Sequence, residues 1–96
     1  MSLPVIWSAS ARSGYADVLK YVEENYGVDA ALKVLDKVEV VVEAIETFPK
    51  GFPNSAEKPH LRKAVITKQI SLIYRVSDID VLLLYFWDNR MKELEV

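Results

Sequence analysis

The stretch "FPKGFPNSAEKP", residues 48–59, divides this chain into two halves with different periodicities. It holds three prolines, a glycine, an Asn and a Ser, so it cannot continue a helix and is expected to be a loop. Before it, apolar residues recur every three or four positions. After it, they follow a two-residue period or form short apolar runs. A helical half joined to a strand half in 96 residues leaves room for one domain, taken here as residues 1–96.

In the helical half, Tyr15, Val18, Leu19, Val22 and Tyr26 share one face of a helix over about 10–25. Ser8 and Ser10 offer N-cap oxygens, and Gly27 is placed to end the helix. Asp29 is the expected cap of a second helix over about 29–47. Its apolar stripe is read as Leu32, Leu35, Val38, Val42 and Ile45, widened by Val34 and Val41. Two long helices with so short a connection form an antiparallel hairpin.

"LPVIWS", residues 3–8, reads as a short strand, and Pro4 points to an edge position because proline has no amide hydrogen to donate. Three more strands are expected near 61–67, 70–76 and 80–87, with turns at Lys68–Gln69 and Ser77–Asp78. The expected fold is therefore α+β, in the order β-α-α-β-β-β, with the helical hairpin on one face of a small, mainly antiparallel sheet. The expected core is Ile6, Val18, Leu19, Val22, Leu35, Val38, Val42, Ile45, Leu72, Tyr74, Leu83 and Tyr85. Alternation in the third strand puts Ile70, Leu72, Tyr74 and Val76 under the helices and Ser71, Ile73 and Arg75 outside.

Charge is unevenly spread, although the net value is only −2. Residues 12–46 carry four bases and eight acids, residues 47–75 six bases and one acid, and residues 76–96 two bases and five acids. The basic middle includes "LRKAVITKQISLIYRV", residues 61–76, with Arg62, Lys63, Lys68 and Arg75. Such a patch either binds an acidic protein or nucleic acid or simply solvates a sheet face. The chain has no cysteine, which excludes disulfides and thiolate metal sites and fits a reducing compartment. The longest apolar run, "VLLLYFW", is far short of the roughly 20 residues of a membrane helix. "MSLPVIW" has no charged n-region, so a cytoplasmic protein is expected.

The helix-hairpin order, "FPKGFP", "LRKAVI", "ISLIYRV" and the closing "FWDNR" together resemble the RelE/ParE superfamily of bacterial toxins from type II toxin–antitoxin systems, including plasmid-stabilisation modules. The resemblance covers nearly the whole chain. It implies a growth inhibitor held by a partner antitoxin, in homo- or hetero-oligomers, with no cofactor. Some members cut ribosome-bound messenger RNA without metal; others inhibit DNA gyrase and are not nucleases. Degenerate modules that bind only antitoxin are a third alternative. For the RNA-cutting members the resemblance implies a cation-lined sheet face. Here Arg62, Lys63, Lys68, Arg75 and Arg90 are the candidate target-binding residues. Arg62, Lys63, Arg75, Arg90 and the lone His60 are the catalytic candidates.

Metal-free RNA cleavage needs a base for the 2′-hydroxyl, cations for the phosphate and an acid for the leaving oxygen. Where these toxins place an arginine in the third strand, this chain has Ser71, and no His or Tyr stands near its carboxyl end. Cleavage is therefore expected to be weak at best, and Ser71→Arg is expected to raise it. His60 and Glu57, in or beside the loop, otherwise read as solvated surface residues, and a single histidine cannot form a metal site. Asp88 and Asn89 read as a strand-ending turn.

Overall fold

A computed structural model describes residues 3–89. Its elements are β1 (Val5–Trp7), α1 (Ala9–Tyr26), α2 (Val28–Thr47), β2 (Arg62–Val65), β3 (Ile70–Val76) and β4 (Val81–Asp88). They form one sheet in the order β1-β4-β3-β2. β1 runs parallel to β4; the other two pairings are antiparallel. The α+β architecture and element order are those expected, and Pro4 precedes an edge strand as its missing donor requires.

Ser8 caps α1: its Oγ accepts a hydrogen bond from the Ala11 amide at 3.0 Å. Gly27 separates the helices at φ +96° and ψ 170°, a conformation in which an L side chain is strained. It is also the N-cap of α2, where no side chain caps the helix; Asp29 sits inside the first turn instead. There its carboxylate still favours the positive end of the helix dipole.

The helices cover one face of the sheet, and the core between them holds Ala11, Val22, Val34, Val38, Ile45, Ala64, Ile66, Leu72, Tyr74, Val81 and Leu83. Six expected core residues, Val22, Val38, Ile45, Leu72, Tyr74 and Leu83, are buried. Val18, Leu19, Leu35 and Val42 are half-buried. The inner stripe of α2 runs through Val34, Val38, Val41 and Ile45, leaving Leu32 at 52 % exposure. Both stripes have helical spacing, so periodicity alone did not fix which faces inward.

Ile6 and Tyr85 belong to the opposite face and not to the core. Ile6 is 44 % exposed, because Val5 and Trp7 are the β1 residues that pack inward. Tyr85 is half-buried and turned outward by a β-bulge. Tyr74 pairs with Leu83 and Ile73 with Tyr85, so Leu84 has no partner on β3. One extra residue reverses the alternation. Val81 and Leu83 point to the helices before the bulge and Phe86 after it, while Tyr85 and Trp87 point away. Ser8 fixes the bulge as well as the helix, since its Oγ donates to the Leu84 carbonyl at 2.8 Å and its amide donates to the Leu83 carbonyl at 3.1 Å.

Candidate functional site

The sheet face away from the helices carries two members of the basic stretch, the half-buried Lys63 and the exposed Arg75. Cross-strand register arranges it in three rows. Val65, Ser71 and Trp87 form the first, Lys63, Ile73 and Tyr85 the second, and Arg75, Leu82 and Ile6 the third. No acid occupies any of these positions. Lys63 and Arg75 are a diagonal cross-strand pair around Ile73, with Cα atoms roughly 7–8 Å apart. From the preceding loop, the Lys58 ammonium lies 5.9 Å from the Tyr85 ring centroid, and Trp87 meets that ring edge-on at 6.3 Å. Ile73 in the middle is 4 % exposed.

Lys58 and Tyr85 escaped the reading of the sequence. Tyr85 was hidden by the bulge, which no residue in "LLLYFW" announces. Lys58 depends on the path of a loop. Ser55 is buried, donates to Glu57 Oε1 at 3.2 Å and accepts from the Lys58 amide at 3.3 Å, while backbone bonds join Ser55 to Leu61 and Leu61 to Lys58. Asn54 Nδ2 donates to the Pro59 carbonyl at 2.6 Å. That network carries Lys58 back over the sheet.

The other candidates are dispersed. Arg62 pairs with Tyr74 and so projects to the helix side. Its guanidinium donates to the carbonyls of Phe52 at 2.6 Å and Lys50 at 3.2 Å, and the Tyr74 hydroxyl donates to the Pro49 carbonyl at 2.6 Å. Arg62 therefore holds the proline loop in place instead of lining the outer face. Burial pushes the Tyr74 phenol up to about 12, against the opposing pull of the Arg62 charge. Burial also raises the Tyr15 phenol, assisted by the carboxylates of Glu39 and Asp36. Lys68 is exposed in the β2–β3 turn, at the far end of the sheet from Arg75. His60 is exposed in the turn before β2. Arg90 lies outside the described residues.

Ser71 is not the open gap that strand alternation implies. It is fully buried, and its Oγ donates to Asn89 Oδ1 at 2.8 Å. Asn89 in turn donates from Nδ2 to the Lys68 carbonyl at 3.2 Å and from its amide to the Gln69 carbonyl at 2.6 Å. The serine is one member of a clamp that closes the end of β4 onto the β2–β3 turn. An arginine there has no open surface to reach without breaking that clamp.

A second surface lies on the helix side. A groove of about 730 Å³ opens between α1, the start of α2 and the end of the sheet, floored by Val18, Val22, Val34, Ile70 and Phe86 and edged by Tyr21 and Tyr26. Among the described residues, no group of three or more His, Asp or Glu is placed to hold a metal ion. No helix among them is long and apolar enough to cross a membrane.

Residues 5–93 match the family model described as the ParE toxin of the type II toxin–antitoxin system parDE. The chain belongs to the ParE toxin family. It is thus a type II toxin–antitoxin toxin of the RelE/ParE superfamily. Among solved structures it resembles the chromosomal ParDE toxin–antitoxin system from P. aeruginosa, with a TM-score of 0.77 at 17 % identity over 91 % of this chain and 96 % of that one. The YoeB dimer from Staphylococcus aureus gives a TM-score of 0.62 at 17 % identity, covering 91 % and 97 %. The DinJ–YafQ toxin–antitoxin complex from E. coli gives 0.63 at 10 % identity, covering 94 % and 96 %. At these identities the likeness is one of fold. No curated protein matches the sequence.

Proposed function

We propose that this ParE-family toxin arrests growth by binding DNA gyrase, without cleaving messenger RNA, and that a cognate antitoxin neutralises it by covering its surfaces. One observation carries the choice between targets. The positions that metal-free cleavage would use are committed to the fold: Arg62 to the carbonyls of Lys50 and Phe52, and Ser71 to Asn89. Lys63 and Arg75 remain as cations on the outer face, while His60, the one histidine of the chain, is exposed in the turn before β2 and not on that face. Such a face is suited to recognition, whereas proton transfer in cleavage calls for a poised acid and base. The match to a ParE family model supports the same reading. The antitoxin reading is supported by fold relatives that include ParDE and DinJ–YafQ systems.

Supercoiling by purified gyrase in the presence of the purified protein tests the target. Inhibition that is relieved by the antitoxin encoded beside this gene is the expected result. Unimpaired supercoiling together with robust cleavage of ribosome-bound message would overturn the proposal. Expression of the chain alone should arrest growth, and co-expression of its antitoxin should restore it.

A further inference from the structure

The described residues end at Asn89, beside the mouth of the helix-side groove. Hydrogen bonds hold Asn89 there: its side chain accepts from Ser71 and donates to the Lys68 carbonyl, and its amide donates to the Gln69 carbonyl. Gln69, Ile70, Trp87 and Asp88, which surround this clamp, all line the groove. The clamp therefore delivers whatever follows Asn89 to the groove's edge. The floor formed by Val18, Val22, Ile70 and Phe86 is apolar, and Tyr21 and Tyr26 at the rim are 47 % and 67 % exposed. An apolar concavity with exposed aromatic rings at its edge marks a contact surface. Its lining includes the carboxylates of Asp17 and Asp88 and no base.

The next seven residues, "RMKELEV" at 90–96, match that lining in reach, pattern and charge. Ile70 pairs with Asp88, so the floor begins within one residue of the clamp. Met91 lies two residues past Asn89 and reaches at most about 7 Å from it; Leu94, five past, reaches at most about 18 Å. Val18 and Val22 are only about 6 Å apart along α1. Met91 and Leu94 have the three-residue spacing that puts two side chains on one side of a helical turn, and Arg90 and Lys92 flank Met91 with positive charge.

We propose that residues 90–96 fold back from the Asn89 clamp into the helix-side groove, placing Met91 and Leu94 on Val18, Val22, Ile70 and Phe86, with Arg90 and Lys92 toward the acidic rim. The toxin thereby carries its own cover for this surface. A partner segment seeking the same floor competes with a tethered one, whose effective concentration is on the order of millimolar. The proposal does not rest on gyrase being the target, because the contact lies within one chain and is read without any target.

The chain has no cysteine, so an introduced pair can be followed without interference. Leu94→Cys with Tyr21→Cys joins the segment to the groove's edge. Leu94→Cys with Val65→Cys joins it to the outer sheet face, where Val65 is 57 % exposed in the row of Ser71 and Trp87, at the same end of the sheet. Under mild oxidation the Tyr21 pair should close within one chain about tenfold faster than the Val65 pair, as mass spectrometry of the monomer reads. A chain ending at Asn89, which keeps the clamp, should bind an apolar fluorescent dye severalfold more strongly than the full chain. Met91→Glu with Leu94→Glu in the full chain should do the same. Should a cysteine variant fail to fold by circular dichroism, the dye comparison decides alone. Equal or faster closure of the Val65 pair, no closure of the Tyr21 pair in a folded variant, or dye binding that neither truncation nor the glutamates raise would each overturn the proposal.

Discussion

Placing an arginine at position 71 separates the strand-alternation account of this protein from the structural one. On alternation, Ser71 is a solvent-facing gap, and Ser71→Arg restores a cation at little cost. In the structure the serine is 0 % exposed and donates to Asn89. The substitution removes that hydrogen bond and leaves the Asn89 carbonyl short of a partner, worth about 1–3 kcal/mol. Fitting a far larger side chain adds about 1–3 kcal/mol of overpacking. If the guanidinium stays inside, an unpaired buried charge adds about 3–5 kcal/mol more. Even the first two contributions take roughly 2–6 kcal/mol from a native state commonly stable by about 5–15. At about 4–8 °C per kcal/mol for a chain of this length, the melting temperature should fall by about 8 °C or more. Ser71→Ala, which loses only the hydrogen bond, should fall by about half as much. Thermal unfolding followed by circular dichroism measures both. A Ser71→Arg protein that melts within about 3 °C of the parent would refute the buried clamp and return position 71 to the open face.

Ser8 should matter more than a surface serine, because one hydroxyl caps α1 and also donates to the bulged Leu84 carbonyl. Ser8→Ala should cost about 1–2 kcal/mol in urea unfolding, with Tyr85 and Trp87 more accessible to an aqueous quencher if the bulge relaxes. Tyr74→Phe tests the raised phenol. A group whose pKa is higher folded than unfolded stabilises fully below its unfolded value of about 10 and loses that contribution as pH climbs toward 12. The parent should therefore lose stability between those values more steeply than Tyr74→Phe, and parallel pH profiles would be the contrary result.

Much of the fold was legible because it rests on signals local to each element. The proline-rich loop marks where helical spacing gives way to strand spacing, and Gly27 marks the only tight point between two long helices. Pro4 placed β1 at an edge. The wet side of α2, with Lys33, Asp36, Lys37, Glu39, Glu43 and Glu46, is exposed as its charges require. Less was legible where two solutions satisfy one pattern. The α2 stripe through Leu32 and Leu35 and the stripe through Val34 and Val41 differ by a small rotation of the helix, and packing against the sheet decides between them.

The site was harder to read for a reason rooted in strand geometry. A strand shows its faces through a period of two, so any extra residue exchanges the faces from that point on. The bulge at Leu84 does this within an unbroken apolar run, where inward and outward residues look alike. Without it, Val81, Leu83, Tyr85 and Trp87 would share the helix side, and the outer face would lose its aromatic pair. Other errors occurred at Ser71 and Arg62. The parity of Ser71 followed from the sequence, but parity says only which side a residue starts from and not what covers it; for β2 the sequence left Arg62 and Lys63 as alternatives for the outer face, and the register gives it to Lys63. Ser71 faces outward and is closed off by contacts that include Asn89, 18 positions along the chain. Arg62 faces the helix side and is taken up by carbonyls 10 and 12 positions back. Lys63 and Arg75 lie on the outer face because strand register sets the side to which each points. That leaves an outer face whose cations come from regular pairing and whose aromatic pair comes from a single irregularity, so removing the irregularity should dismantle the face and also turn Phe86 out of its packing with Trp7 and Tyr15.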